Sequence, residues 1–318
     1  MKKILRGVCL MGVVALLATS CNKNKETATI QTYNQEFEVV DGEYGIDGEK
    51  VYFNPSNNKT YFESGDLLTL FRVDGTGMTY ADYVPAETQV DQTTWTPVDE
   101  ALAEGGDLYA FCPGGSGYVL VDPATQNNNR ATFILPSVQY YRENTCPKEG
   151  FFMASKLEAG QDAFFFKNIC GLLWLKLYSA NNRKVTEIQI TDGDGKHLSG
   201  NVSMYIDKVE PNTLKSLYTN YDPANTSYMN SLAEYISYSG YSVENVGGLS
   251  LVCQEPVQVG TTSATATNFY MALRPLALRK GFTVKVLCEG GYEFTMSTTR
   301  NNIIGPNTIR KMTALNIK

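Results

Sequence analysis

Short runs of alternating apolar and polar residues recur along most of this chain, and they limit what it can fold into. "VYFNPSNNKTYF", "DLLTLFRVDG", "DLYAFCPGG", "ATFILP", "VTEIQITDGDGKHLSGNVSMYI", "FYMALRP" and "GFTVKVLCEGGYEFTMSTT" are rich in Val, Ile, Thr, Tyr and Phe, with Gly, Pro, Asn and Asp between them. A period of two places one row of side chains on each face of a strand, so one row can be buried while the other meets water. "ITDGDGKHL" and "LCEGGYEF" read as hairpins, because Asp-Gly and Gly-Gly accept the positive φ that tight turns need. No long segment keeps a helical period with caps. The best helix candidates are short, "TWTPVDEALAEGG" at 94–106 and "NSLAEYISY" at 230–238. The expectation is a mainly β protein built from two sandwich-like units.

The N-terminus has a different texture. Lys2, Lys3 and Arg6 precede an apolar run from Val8 to Ala18, and small residues follow. This order is that of a secretory signal, and a run of about 11 residues falls short of the roughly 20 that span a bilayer. Leu17-Ala18-Thr19-Ser20-Cys21 resembles the lipobox of bacterial lipoproteins, with Leu one place further back than usual. The resemblance implies cleavage between Ser20 and Cys21 and a lipid on the Cys21 sulfur. Cys9, inside the apolar run, has no small residues before it. Two or three acyl chains, at about 0.8 kcal/mol per buried methylene, hold a protein on a membrane where one chain does not.

Cleavage removes three positive charges and no negative ones from a chain whose formal net charge is −6. An acidic chain without basic clusters is unsuited to nucleic acid or to anionic lipid heads, so membrane attachment is expected to be covalent. With 318 residues the chain is long enough for two domains. The expected division is a signal at 1–20, a polar tether at 21–33, an N-terminal sandwich at 34–158 and a C-terminal sandwich at 159–318. The boundary falls in "ASKLEAGQDA", between Met153 and Phe164. Residues 209–248 form a Tyr-, Ser- and Asn-rich insertion of few charges, with six tyrosines from Tyr218 to Tyr241.

Beyond Cys21 the cysteines are Cys112, Cys146, Cys170, Cys253 and Cys288, an odd number with no metal-knuckle spacing. Cys288 shares a strand face with Phe282, Val284 and Val286, and Cys170 lies in the apolar "FFFKNICGLLWL", so both read as core. One or two disulfides are compatible with an exported chain. The single histidine, His197, has no nearby nucleophile motif. "DGDGKH" places Lys196 and His197 where a calcium loop needs an oxygen ligand and then Gly, so it reads as a turn. "CPGGSGYVLV" lacks the Lys-Ser/Thr of a phosphate loop. Carboxylate neighbours such as Asp99 and Glu100 occur in any acidic chain. No catalytic set, metal site or cofactor is expected. Trp95, near Pro97 in a polar stretch, is the candidate for stacking on a ligand, whereas Trp174 in "GLLWLKL" reads as core.

Seven segments in order resemble the fimbrillin-like lipoproteins of Bacteroidota, a family of fimbrial stalk, tip and anchor subunits. They are "YFESGDLLTLF" (61–71), "TTWTPVDEALAEGGDLYAFCP" (93–113), "ATFILPSVQYYRE" (131–143), "FFMASK" (151–156), "FFFKNICGLLWLKL" (164–177), "VTEIQITDGDGKHLSG" (185–200) and "FYMALRPLALRKGFTVKV" (269–286). The resemblance implies two transthyretin-like β-sandwich domains in tandem and a role in surface fimbriae and adhesion. It also implies an N-terminal strand that completes the first sandwich until an arginine-directed protease removes it, after which a strand of the next subunit takes its place. Strand addition uses backbone hydrogen bonds and pockets for alternate side chains. The expected leader strand is "QEFEVV" (35–40). The expected donor edge is "NTIRKMTALNIK", with Ile309, Lys311, Thr313, Leu315 and Ile317 on one face. Between Asn22 and Phe71 there is no arginine, Arg72 lies in an expected strand, and Arg130 is far from the leader. That departure from the family pattern favours a tip, anchor or stand-alone adhesin.

The expected partners are therefore other fimbrial subunits through strand exchange, the outer membrane through the lipid on Cys21, and a surface glycan or protein. A glycan-binding lipoprotein of a polysaccharide uptake system, stacking sugars on Trp95 or the Tyr-rich insertion, is the alternative.

Overall fold

The computed structural model describes residues 30–34, 37–41, 50–51, 66–74, 77–87, 92–102, 105–112, 120–121, 130–147, 150, 152–157, 163–205, 236–239, 248–305 and 308–318. The strands of the first half are β1 (Ile30–Asn34), β2 (Phe37–Asp41), β3 (Lys50–Val51), β4 (Leu68–Asp74), β5 (Gly77–Pro85), β6 (Gln92–Pro97), β7 (Asp107–Cys112), β8 (Leu120–Val121), β9 (Arg130–Leu135), β10 (Val138–Tyr140), β11 (Met153–Lys156) and β12 (Ala163–Asn168). Those of the second half are β13 (Gly171–Tyr178), β14 (Lys184–Asp192), β15 (Gly200–Tyr205), β16 (Ile236–Ser239), β17 (Gly248–Gln258), β18 (Thr267–Leu273), β19 (Leu276–Leu278), β20 (Phe282–Cys288), β21 (Tyr292–Thr298), β22 (Asn302–Ile304), β23 (Thr308–Lys311) and β24 (Leu315–Asn316). No α-helix occurs among the described residues, so the mainly β reading holds.

Seven strands close into a barrel in the order β1-β12-β11-β7-β4-β5-β6. The period-two patterning explains its interior. Leu68 and Leu70 of β4, Ala110 and Cys112 of β7, and Phe164 and Phe166 of β12 point to one core with Tyr83, Trp95 and Met153. Closure depends on β1, which pairs in parallel with β12 and antiparallel with β6.

Two further sheets pack face to face. One has the order β10-β17-β14-β20-β21, the other β18-β13-β23-β2-β3 with β24 also paired to β13. Between them lies a second core, with Leu173, Leu175 and Leu177 from β13, Phe269 and Met271 from β18, Ile188 and Ile190 from β14, and Val284 and Val286 from β20. β20 alternates between buried and half-buried residues along its whole length, as its sequence dictates. A four-stranded sheet (β16-β15-β9-β8) and the pair β19-β22 complete the architecture.

Several expectations change. Residues 30–33, inside the expected tether, begin β1, whose "IQTYN" is too short for its alternation to stand out. β12 pairs inside the barrel, whereas β2 and β10 pair inside the sandwich, so sheet membership does not divide at 158/159. "TWTPVDEALAEGG" opens as β6, and its Trp95 is drawn into the barrel. Ile236–Ser239, at the end of the second helix candidate, is β16, and residues 230–235 lie outside the described set. "LCEGGYEF" is a hairpin with Gly290 and Gly291 at positive φ. "ITDGDGKHL" is not, because β14 pairs with β17 and β20 while β15 pairs with β9 and β16. The turn therefore carries the chain from one sheet to another.

Candidate functional site

The C-terminal segment is built into the molecule. β23 lies between β13 and β2, parallel to both, with Leu172 opposite Ile309 and Val39 opposite Ile309. β24 continues alongside β13, with Leu177 opposite Leu315. From Trp174 to Leu177 is three steps on β13, but from Lys311 to Leu315 is four on the partner. The extra residue breaks the alternation that placed Ile309, Lys311, Thr313, Leu315 and Ile317 on one face. Ile317 and Leu315 join the sandwich core, with Met312 beside them, while Ile309 is buried outside that core. Thr313 is exposed between the two strands. β2, which holds the described part of the expected leader strand (35–40), is the other neighbour of β23, so it sits in the sandwich, and the barrel is closed by β1 instead.

The two tryptophans exchange the roles expected of them. Trp95 is fully buried in the barrel core. Pro97 and the polar residues around it suggested a surface site, yet the register with β5 and β1 turns the indole inward. It cannot stack on a ligand. Trp174 is half-buried on the face of β13 opposite the row Leu173, Leu175 and Leu177. Its ring stacks on Tyr270 at 5.4 Å between centroids, and its Nε1–H donates to Asn268 Oδ1 at 3.0 Å. The ammonium groups of Lys176 and Lys311 lie 5.0 and 5.2 Å from the indole centroid. Strand alternation predicts this placement, but the surrounding leucines obscured it.

A buried amide that sequence reasoning missed joins the two sheets. Gln139 of β10 donates from Nε2 to the carbonyl of Ala272 at 2.7 Å and accepts the Ala272 N–H at 2.9 Å. Its side chain thus occupies the place of a neighbouring strand along the outer edge of β18. Gly150 lies against the same spot, where a Cβ would stand 2.1 Å from that of Ala272.

The "DGDGKH" turn is held by its own side chains. Asp192 Oδ2 accepts the N–H groups of Asp194 and Lys196, and Lys280 pairs with Asp194 at 2.7 Å. That pairing holds the Asp194 carboxyl below its ordinary range and raises the Lys280 ammonium. The carbonyl of His197 accepts from Arg274 Nε. Among the described residues no three His, Cys, Asp or Glu side chains are grouped to hold a metal.

Cys112, Cys146, Cys170, Cys253 and Cys288 are all buried, and none of the five is in a disulfide. Burial raises the Cys170 and Cys288 thiols, and burial followed by the Glu187 charge pushes Cys253 up to about 12. Such thiols pack as small hydrophobes and do not act as nucleophiles. Ser20, Cys21, the tether up to residue 29 and most of the Tyr-rich insertion lie outside the described residues. No described helix is long and apolar enough to cross a membrane.

Solved structures supply the comparison. A "putative cell adhesion protein" from Bacteroides ovatus matches at a TM-score of 0.44 and 12% identity, over 87% of this chain and 88% of its own. The chain is similar to bacterial adhesion and fimbrial proteins. A fimbrial protein from Bacteroides ovatus matches at 0.36 and 12% over 92% of this chain and 50% of its own. The tip fimbrial protein Mfa3 from Porphyromonas gingivalis matches at 0.37 and 9%, over 91% of this chain and 95% of its own. No protein-family model matches, and no curated protein does.

Proposed function

We propose that this chain is a non-enzymatic cell-surface lipoprotein that serves as a fimbrial subunit or adhesin, anchored in the outer membrane by lipid on Cys21. It assembles with other subunits by β-strand addition. The observation that carries the reading is the closure of the barrel by β1 alone, a strand from the start of the chain set between β12 and β6. Withdrawal of β1 would leave two facing sheet edges with unpaired backbone groups and an apolar interior between them, the geometry that an added strand fills.

The anchor is tested by mass spectrometry of the chain extracted from membranes. The mature protein is expected to begin at Cys21 with acyl mass on that residue, and Cys21→Ala is expected to leave the membrane fraction. An unmodified Cys21 would overturn the anchor. For assembly, a protease site engineered after Asn34 is expected to yield multimers on cleavage, and a cleaved chain that stays monomeric would overturn strand addition.

A further inference from the structure

An unpaired sheet edge invites another strand, and proteins blunt their edges by several devices. Most edges here are blunted. The barrel closes on itself, and β18 is buried from Phe269 to Leu273, with Gln139 taking the outward N–H and carbonyl of Ala272. β10 and the strands of the β19-β22 pair have three residues each. β21 is the exception among the described residues. It runs seven residues, pairs with β20 from Phe282 opposite Thr298 to Cys288 opposite Tyr292 without a bulge, and has no second strand partner.

The side chains of β21 also fit an incomplete sheet. Glu293, Thr295 and Ser297 are exposed, while Tyr292, Phe294, Met296 and Thr298 form the inner row and remain only half-buried. Tyr292 and Phe294 pack against the sandwich core, which their own sheet covers on one side only. The strand carries no proline and no inward charge. Glu293, its one ionised group, is held by Lys285 of the same sheet at 2.9 Å.

We propose that β21 is the interface of a symmetric dimer, pairing antiparallel with β21 of a second copy about a two-fold axis through Thr295. The order "YEFTMST" is self-complementary in that register. Phe294 meets Met296 of the second copy, Tyr292 meets Thr298, and Glu293 meets Ser297, so no like charges oppose each other. The inner rows stay on one face, and the β10-β17-β14-β20-β21 sheets of two molecules become one continuous sheet. The pairing needs neither release of β1 nor residues 308–318, so it stands apart from the strand-addition reading.

The test uses the uncleaved full chain. Sedimentation equilibrium is expected to show a concentration-dependent dimer, and Thr295→Pro is expected to raise its dissociation constant roughly tenfold or more. Thr295→Cys lies on the axis and is expected to form a disulfide dimer on mild oxidation. Glu293→Cys is expected to crosslink only with Ser297→Cys. A monomer up to sub-millimolar concentration, a dimer unaffected by Thr295→Pro, or no crosslink from Thr295→Cys beyond that of the parent chain would overturn the proposal. If Thr295→Pro does not fold, the cysteine pairs decide. Multimers that appear only after cleavage at Asn34 would support strand addition and overturn β21 pairing.

Discussion

Trp95 and Trp174 are the only tryptophans in the chain, which makes their environments separable in solution. Trp95 is fully buried among Leu68, Tyr83 and Phe166, while Trp174 is half-buried between Tyr270 and two lysines. Trp174→Phe should leave a blue-shifted emission that acrylamide quenches poorly, and Trp95→Phe should leave a readily quenched one. Trp95→Ala should cost about 3–5 kcal/mol by removing the largest side chain of the barrel core. Similar quenching in the two Phe variants would contradict this placement. Gly281 is constrained more tightly still. Its φ is +75°, and a Cβ there would stand 1.7 Å from the Thr298 carbonyl oxygen, so that turn requires glycine.

At the scale of elements, the Gln139 amide has a measurable consequence. Leu172 opposes Ala272 across the β13–β18 pair, and the Ala272 N–H and carbonyl both point to the outer edge, where Gln139 satisfies them. Gln139→Leu leaves both groups buried without partners, at a cost of about 1–3 kcal/mol in urea unfolding. Amide exchange at Ala272 should rise in the variant while exchange in the centre of β13 stays slow. An unchanged Ala272 amide would show that the strand edge is protected otherwise. The element also shows why sequence reading stops where it does. The short "VQY" of β10 carries little alternation of its own, and which neighbour its buried glutamine serves depends on a residue 133 positions away. The same holds for β23 and β24, where a one-residue mismatch with β13 moves Leu315 and Ile317 into the core and leaves Ile309 outside it.

For the whole molecule, buried weak acids set the response to alkali. Burial, with the Glu143 and Cys253 charges, pushes the Tyr141 hydroxyl up to about 12, and Cys253 reaches about 12. Tyr270 and Cys170 move the same way. The folded chain therefore binds these protons more tightly than the unfolded chain does. Their contribution is complete below the ordinary thiol value of 9.0 and is lost as pH rises toward about 12. Under reducing conditions the urea midpoint should hold from neutral pH to about 9 and then fall steadily. A flat profile through pH 11 would contradict the burial of these groups.

Patterning and turn chemistry settled the class of this protein from the sequence alone, because a period of two and Gly-Gly turns act between near neighbours. They located β4, β7, β14, β18 and β20, made Cys170 and Cys288 core residues, and identified the β20–β21 hairpin. The proposed lipid anchor at Cys21 likewise rests on chain order alone, since a basic segment, an apolar run and small residues before a cysteine are local features. Only the tertiary structure decided which strands meet. It placed β1 in the barrel and β2 in the sandwich, sent β14 and β15 to different sheets, and exchanged the roles of Trp95 and Trp174. Strand pairing is a long-range choice that depends on every other strand competing for the same edge, and alternation within one segment carries no record of that competition.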